Sequence, residues 1–233
     1  MRLDKYLAET AQCTRSAART LVQKGRVRVN GAVCKKADTQ LSEADVVCLD
    51  GAPLRYQQFV YLMVNKPAGV VSAREDARDT TVVDLLGDAY PRRQLFPAGR
   101  LDKTSTGFVL LTDDGVFAHE ILAPKRHVPK RYTVTLDTPL TQEMTDGFAA
   151  GVTLADGTAL SPAQVQALSP DGLQVQVVLR QGVYHQIKRM FGVYGAGVNA
   201  LHRDAIGGLA LDENLAPGQW RELTPEEVAQ ITG

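Results

Sequence analysis

The sequence predicts an α+β protein with two parts, a small basic N-terminal module and a larger domain built on a mixed, mainly antiparallel sheet. Three observations support this prediction: an uneven charge distribution, a turn-rich segment at residues 50–53, and short strands beyond it that do not alternate regularly with helices. We place the boundary near residue 58, so that residues 1–58 and 59–233 form separate domains. A chain of 233 residues is long enough for a small and a medium-sized domain.

The formal net charge of zero conceals a strong asymmetry. Residues 1–36 contain nine Lys and Arg against two acidic residues, a net charge of +7, and the rest of the chain balances it at −7. A basic module on an acidic body indicates a polyanionic partner bound at one end, with a merely solvated basic helix face as the alternative.

A helix and a hairpin are predicted inside the basic module. Thr14 is placed to cap a helix over residues 15–24, and the next glycine is placed to end it. Residues 26–29 alternate as a half-buried strand, and the Asn-Gly pair that follows is a strong hairpin signal. Together these elements place four cationic side chains where they could share one surface: Arg15, Arg19, Arg26 and Arg28.

The larger domain contains short apolar strands with helices between some of them. The predicted strands cover residues 60–64, 107–112, 132–136 and 173–179. The predicted helices cover residues 81–86, 116–122, 141–150 and 185–194.

Residues 99–107 carry the strongest functional signal. They place Asp102 directly after an arginine and a leucine, in a Gly-, Thr- and Ser-rich stretch that leads into the apolar run 108–111. A polar loop followed by a buried strand presents one side chain at a cleft while anchoring it on a rigid element. The simpler alternative is an aspartate that only satisfies turn amides.

The basic module resembles the S4 RNA-binding domain. The resemblance rests on the pattern Ser16-x-Ala18-x-x-Leu21-Val22-x-x-Gly25-x-Val27-x-Val29-Asn30-Gly31 and covers about the first 50 residues. It implies that this module binds RNA, and that the four arginines contact the substrate.

The larger domain resembles the pseudouridine synthases of the RluA/RsuA superfamily. The matching segments are Gly99-Arg100-Leu101-Asp102, Asn65-Lys66-Pro67-x-Gly69-Val70, Lys130-Arg131-Tyr132, the run from Gln181 to Met190, Leu201-x-Arg203-x-x-Ile206-Gly207, and Gly218-x-Trp220-Arg221-x-Leu223. Together with the S4-like module, these segments most resemble the RsuA family of 16S rRNA pseudouridine synthases. Two positions depart from the family pattern: Gln181 replaces its usual Glu, and Val183 replaces an Arg and so removes a possible phosphate contact.

This resemblance implies a reaction and roles for five residues. Uridine is cut at its N1–C1′ bond, the base turns, and C5 joins C1′ of the same sugar. Asp102 is the nucleophile, Lys188 is the cation that keeps this carboxylate ionised, and Tyr132 offers a ring for the base and a phenol near C5. Ile187 packs beneath the base, and Arg100 helps to fill the space left when the uridine is flipped out. The resemblance allows three roles for Asp102: attack at C1′, attack at C6, or assistance to glycal formation.

The implied substrate is 16S rRNA, or a small-subunit assembly intermediate, modified at position 516. The isomerisation exchanges no atoms or electrons, so we expect neither a metal nor another cofactor. The alternatives are a 23S rRNA pseudouridine synthase of the same family and a non-enzymatic S4-type rRNA-binding assembly factor. The run Asp102 to Thr106 also resembles the phosphorylation motif of ion-pumping ATPases, but the longest apolar stretch, residues 59–64, is far too short for their membrane helices.

Cysteine usage and the first residues of the sequence indicate a compartment. Three dispersed cysteines without a Cys-x-x-Cys pair favour reduced thiols over disulfides or a zinc site. The N-terminus carries charges at once and has no apolar segment typical of a signal peptide. We expect a cytoplasmic monomer that does not contact membranes.

Other conspicuous side chains are expected to have structural roles. His185 and His202 have no second ligand at metal spacing, so we expect no metal at either. Ser105 and Thr106 are expected to hydrogen-bond the Asp102 loop. Three aromatic residues at helical spacing are expected in the core, with base stacking as the alternative: Tyr184, Phe191 and Tyr194.

Overall fold

A computed structural model describes residues 1–123 and 128–233. The chain divides into two compact units, one formed by residues 1–59 with 88–93 and the other by residues 60–87 with 94–233. The predicted boundary near residue 58 lies beside this division, and the separate folding of two domains stays a prediction. Within the described ranges, no helix combines the length and the apolar character needed to cross a bilayer.

The N-terminal unit consists of two helices and a four-stranded antiparallel sheet in the order β2-β1-β3-β4. Its elements are α1 (Leu3–Thr10), α2 (Arg15–Gln23), β1 (Val27–Val29), β2 (Ala32–Val33), β3 (Val47–Leu49) and β4 (Ala52–Leu54). The predicted helix is confirmed, and the Thr14 hydroxyl accepts a hydrogen bond from the Ala17 amide at 3.0 Å. Asn30 and Gly31 both have positive φ, as a tight hairpin turn requires.

The core of this unit joins the two helices to the sheet. Helix α1, which the sequence analysis did not predict, contributes Leu3 and Leu7, both fully buried. They pack in one cluster with Ala18 and Val22 of α2 and with Val27 of β1. The apolar residues of each helix recur at a spacing of four, so they form one stripe against the sheet.

The larger unit is built on one mixed sheet whose main path runs β13-β5-β7-β11-β8-β10-β9. Its strands are β5 (Tyr61–Lys66), β6 (Phe96–Pro97), β7 (Thr106–Thr112), β8 (Lys130–Leu136), β9 (Gln164–Ala167), β10 (Gln174–Leu179), β11 (Val198–Ile206), β12 (Leu209–Ala210) and β13 (Trp220–Glu222). Strand β11 runs parallel to β7 and antiparallel to β8, and the pairs β5–β7, β8–β10 and β9–β10 are antiparallel. The predicted α+β class with a mixed, mainly antiparallel sheet is therefore confirmed.

Four helices accompany this sheet: α3 (Gly115–Leu122), α4 (Gln142–Ala150), α5 (Gln186–Val193) and α6 (Pro225–Thr232). Ile121 of α3 and Ile231 of α6 share one buried cluster with Phe108 and Leu110 of β7. Phe148 of α4 contacts Phe191 of α5, with ring centroids 4.7 Å apart. The sequence analysis predicted α3, α4 and α5 within two residues at each end. It missed α6 and five strands of this unit: β6, β9, β11, β12 and β13.

The helix predicted over residues 81–86 is wrong for most of its length. A single 3₁₀ turn covers Asp84–Leu86. The preceding backbone pairs with another segment instead, since the Val82 amide donates to the Val71 carbonyl at 2.9 Å and Thr81 forms a bridge with Val71. Gly87 then has φ +53 and ends the turn.

Candidate active site

Asp102 lies on the loop between β6 and β7, and its neighbours anchor that loop. The Ser72 hydroxyl donates to the Leu101 carbonyl at 2.9 Å and accepts from the Leu101 amide at 3.0 Å. The Gly69 amide donates to the Lys103 carbonyl at 2.8 Å. Asp102 thus sits between two residues whose backbone is fixed, which limits how far its side chain can move.

Lys66 supports the same loop from within the core. Its side chain is fully buried at the end of β5. Its ammonium donates to three backbone carbonyls: that of Ser105 at 2.6 Å, that of Pro67 at 3.0 Å and that of Lys103 at 3.3 Å. Burial lowers the pKa of Lys66 to about 8, with the Asp102 carboxylate acting in the opposite direction and Arg203 adding to the lowering.

Arg203 of β11 is a second buried cation beneath the loop. Its Nε donates to the Phe108 carbonyl at 2.6 Å and its Nη1 to the Arg100 carbonyl at 3.4 Å, so the guanidinium joins both ends of the Asp102 segment. Its Nη2 is buried without a hydrogen-bond partner among the described residues. The close approach of β11 requires glycine at position 107, where φ is +101 and a Cβ would overlap the Arg203 backbone.

The start of α5 brings two nitrogens to the Asp102 carboxylate. His185 Nε2 lies 3.5 Å from one carboxylate oxygen, and Lys188 Nζ lies 3.5 Å from the other. The Lys188 ammonium also donates to the Thr104 hydroxyl at 3.3 Å. His185 adopts the left-handed conformation with φ +52 just before the helix, and this backbone geometry positions its ring at the carboxylate.

The other predicted site residues lie on β8, in α5 and on the Asp102 loop. Tyr132 is buried on β8 directly opposite Arg203 in the β8–β11 register, so the two side chains point to the same face of the sheet. Ile187 is buried in the first turn of α5, next to Lys188. The Arg100 side chain is exposed two residues before Asp102. The roles assigned to these residues stay predictions.

Two expectations about neighbouring side chains are wrong. The Thr106 hydroxyl contacts Nδ1 of His202 at 2.8 Å rather than the Asp102 loop, and the Ser105 hydroxyl is buried without a partner among the described residues. Tyr184 is 72% exposed rather than in the core, because α5 begins two residues later and the assumed helical spacing does not reach it. Phe191 is fully buried, as expected.

The four arginines predicted to bind RNA are exposed, and three of them have intramolecular partners. Arg26 forms a bidentate ion pair with Asp50, and Arg19 contacts Asp4 at 3.3 Å. Arg28 donates to a backbone carbonyl, that of Gly31, at 3.0 Å. The hydrogen bond with Arg26 lowers the pKa of Asp50. The prediction that these arginines bind RNA therefore requires Arg19 and Arg26 to engage phosphate in competition with a carboxylate.

The centre formed by Asp102, His185 and Lys188 is suited to carboxylate chemistry. The Asp102 side chain is 30% exposed, so it remains accessible to a substrate while both of its oxygens face nitrogen groups. A carboxylate in this setting can attack an electrophilic carbon or accept a proton. Within the described residues, no three His, Cys, Asp or Glu side chains are grouped as a metal site would require.

Sequence reasoning missed three contributors to this centre. Lys66 and Arg203 were noted only as parts of matching segments, and His185 was considered only as a metal ligand. A cationic residue within a strand-like run, such as Lys66 after Tyr61–Asn65, is the one signal that could have indicated a buried role.

Comparison with known proteins agrees with this arrangement. Residues 60–192 match the family model of RNA pseudouridylate synthases, and residues 1–47 match that of the S4 domain. An uncharacterized RNA pseudouridine synthase of Bacillus subtilis is 41% identical over 231 residues, covering 98% of this chain and 97% of that protein. The ribosomal small subunit pseudouridine synthase A of Escherichia coli K12 is 40% identical over 233 residues, covering 99% of this chain and all of that protein.

A solved structure has the same overall fold. A crystal structure of a pseudouridylate synthase superimposes with a TM-score of 0.69 at 36% sequence identity, covering 99% of both chains. The family model matches more than half of the chain, and the relatives match nearly its whole length. The chain therefore belongs to the RNA pseudouridylate synthase family.

Proposed function

We propose that this protein isomerises one uridine of small-subunit (16S) rRNA to pseudouridine, at position 516, with Asp102 as the nucleophile. The observation that carries the proposal is the partly exposed Asp102 carboxylate with a nitrogen group 3.5 Å from each oxygen. Relatives that are 40–41% identical over their full length and named ribosomal small subunit pseudouridine synthase A support the choice of substrate.

In this proposal the chemistry uses only groups of the protein and the nucleotide. The Asp102 carboxylate attacks the uridine, the N1–C1′ bond breaks, and the base turns within the site. C5 then bonds to C1′, and the bond between Asp102 and the nucleotide breaks, which restores the carboxylate. The proton leaves C5 and N1 gains a proton, so substrate and product contain the same atoms. The Lys188 ammonium, 3.5 Å from the Asp102 carboxylate, offsets its negative charge, and the Tyr132 phenol is the candidate for the proton transfer at C5. Arg100 helps to fill the space that the flipped uridine leaves in the RNA, and Ile187 packs under the flipped base.

We also propose that the N-terminal unit supplies much of the phosphate binding. Residues 1–59 carry ten Lys and Arg against six Asp and Glu, a net charge of +4 that attracts an RNA backbone. Arg15 and Arg28 are exposed, and neither forms an ion pair with a carboxylate among the described residues, so their charges are more available than those of Arg19 and Arg26. We propose that the protein acts as a cytoplasmic monomer, and its free cysteines are compatible with that compartment.

Mapping of pseudouridine in both ribosomal RNAs tests the proposal. RNA from a strain that lacks the gene is compared with RNA from the same strain supplied with the wild-type gene or with its Asp102→Asn variant. We expect one small-subunit pseudouridine to disappear on deletion and to return with the wild-type gene alone. Loss of a large-subunit pseudouridine would favour the 23S alternative. An unchanged set of pseudouridines in both RNAs would favour a non-enzymatic assembly factor.

A further inference from the structure

Tyr184 presents an aromatic ring to solvent beside the Asp102 centre. It is 72% exposed, the most exposed aromatic side chain among the described residues. One face of its ring is covered by His185, with centroids 3.8 Å apart and planes inclined by 19°. The other face and the hydroxyl are left for a ligand.

The segment that carries Tyr184 is held in place on both sides. The Val183 amide donates to the buried Gln186 side chain at 3.0 Å, and the Gln186 amide donates to the Val183 carbonyl at 3.1 Å. His185, on which the ring stacks, lies 3.5 Å from the Asp102 carboxylate. The Tyr184 ring is therefore a prearranged surface linked to the reacting group through one intervening side chain.

The charges of this segment suit a nucleic acid. Residues 178–192 contain three cationic residues and no Asp or Glu. Two of the three face carboxylates, Lys188 that of Asp102 and Arg189 that of Asp156, which neutralise part of this charge. An exposed aromatic ring in cationic surroundings is the combination that binds single-stranded nucleotides, since every base has a face that can stack.

We propose that Tyr184 stacks on the nucleobase next to the flipped uridine and thereby positions the substrate strand. This inference rests on the proposed function, which places the flipped uridine at Asp102. Flipping leaves the adjacent base without its stacking neighbour. The free face of Tyr184 can replace that neighbour at the usual base separation of about 3.4 Å. Tyr184 is thus a positioning residue, and its ring rather than its hydroxyl performs the role.

Steady-state kinetics with a small-subunit rRNA fragment that contains the target uridine tests this proposal. We expect Tyr184→Ala to raise KM between about 5-fold and about 150-fold, the range for loss of one base–aromatic stack, with little change in kcat. Tyr184→Phe and Tyr184→Trp should keep KM within about twofold of wild type because both retain a ring. Leu168→Ala, which truncates another exposed apolar side chain of the same unit, is the matched control.

A modified RNA separates stacking from an indirect effect through His185. With an abasic nucleotide on the stacked side of the uridine, wild type and Tyr184→Ala should have the same KM. An unchanged KM for Tyr184→Ala, a loss confined to kcat, or a KM difference that persists with the abasic RNA would each overturn the proposal.

A fluorescence readout does not depend on turnover. In an Asp102→Asn background, 2-aminopurine at the flanking position should be quenched on binding, and the quenching should be lost with Tyr184→Ala. Equal quenching in both proteins would overturn the stacking. Absence of pseudouridine formation by the wild-type protein would instead refute the proposed function, so the two failures are distinguishable.

Discussion

The buried ammonium of Lys66 makes protein stability depend on pH in a defined direction. Burial lowers the pKa of Lys66 from 10.5 to about 8. Below pH 8 the folded and unfolded chains both carry this proton, and the cost of burying the charge is fully present. Between pH 8 and 10.5 the folded chain loses the proton first, so the unfolded chain binds more protons and the free energy of unfolding rises with pH.

The size of this effect follows from the two pKa values. The difference between 10.5 and about 8 corresponds to roughly 3 kcal/mol of stability regained by pH 10.5. Other groups titrate in the same range: burial also lowers the pKa of Lys130 to about 8, whereas burial raises the pKa of Tyr61. A comparison of wild type with Lys66→Met isolates the contribution of Lys66 because the other groups are common to both proteins.

Urea unfolding of both proteins from pH 7 to 10.5, followed by fluorescence of the single tryptophan, gives the required free energies. We expect the stability of wild type to rise relative to Lys66→Met by an amount on the order of 3 kcal/mol. Lys130→Met is the matched control, since Lys130 is a buried lysine with a similarly lowered pKa whose ammonium donates to the Val128 carbonyl instead of the Asp102 loop.

The two lysine variants, Lys66→Met and Lys130→Met, should differ in kcat. Lys66→Met removes the donor to the carbonyls of Lys103 and Ser105 and should reduce kcat at pH 7 by at least tenfold, on the order of 1.4 kcal/mol or more in the barrier. Lys130→Met should leave kcat within about threefold of wild type, under 1 kcal/mol. A stability difference that does not vary with pH, or equal kcat losses for the two variants, would refute this reasoning.

Three further predictions concern the site, the sheet and the RNA-binding unit. Lys188→Met should lower the single-turnover rate constant by about a hundredfold or more. Lys188→Arg should lower it less, because the positive charge beside Asp102 is retained; equal decreases for the two variants would contradict a charge effect. Gly107→Ala should destabilise the protein by more than about 2 kcal/mol in urea unfolding, whereas Gly31→Ala, with positive φ but open space, should cost about 1 kcal/mol. Arg15→Ala should reduce the slope of log affinity against log salt by about 0.7–0.9, and Arg26→Ala by less because Asp50 already pairs with Arg26; the reverse order would contradict this assignment.

Elements with strong local signals could be predicted from the sequence. Helix α2 has a capping threonine and a terminating glycine, and β7 is a continuous apolar run, so both were placed within about a residue. Strand β11 was missed because it mixes polar and apolar residues, and its position between β7 and β8 depends on pairing with distant segments. The helix predicted over residues 81–86 was wrong for the same reason, pairing with a distant segment, because the Thr81 backbone forms a bridge with Val71.

The candidate site was likewise predicted only in part. The resemblance pointed to Asp102 and Lys188, and in the structure Lys188 Nζ lies 3.5 Å from a carboxylate oxygen of Asp102. Apart from the strand-like run before Lys66, no sequence signal marks the supporting cations Lys66 and Arg203, because a sequence does not distinguish a lysine or arginine buried among backbone carbonyls from one on the surface. Tyr184 was misplaced because its spacing was measured along a helix that begins only at Gln186.

The most direct test of the central claim is the turnover of Asp102→Asn on small-subunit rRNA, measured as pseudouridine formed per enzyme. The amide fills the same volume as the carboxylate but is a far poorer nucleophile, so activity should fall below about 1% of wild type. RNA affinity and the free energy of unfolding should stay close to wild-type values, which shows that the site is intact. Turnover above that level by a folded, RNA-binding variant would contradict the assignment of Asp102 as the nucleophile.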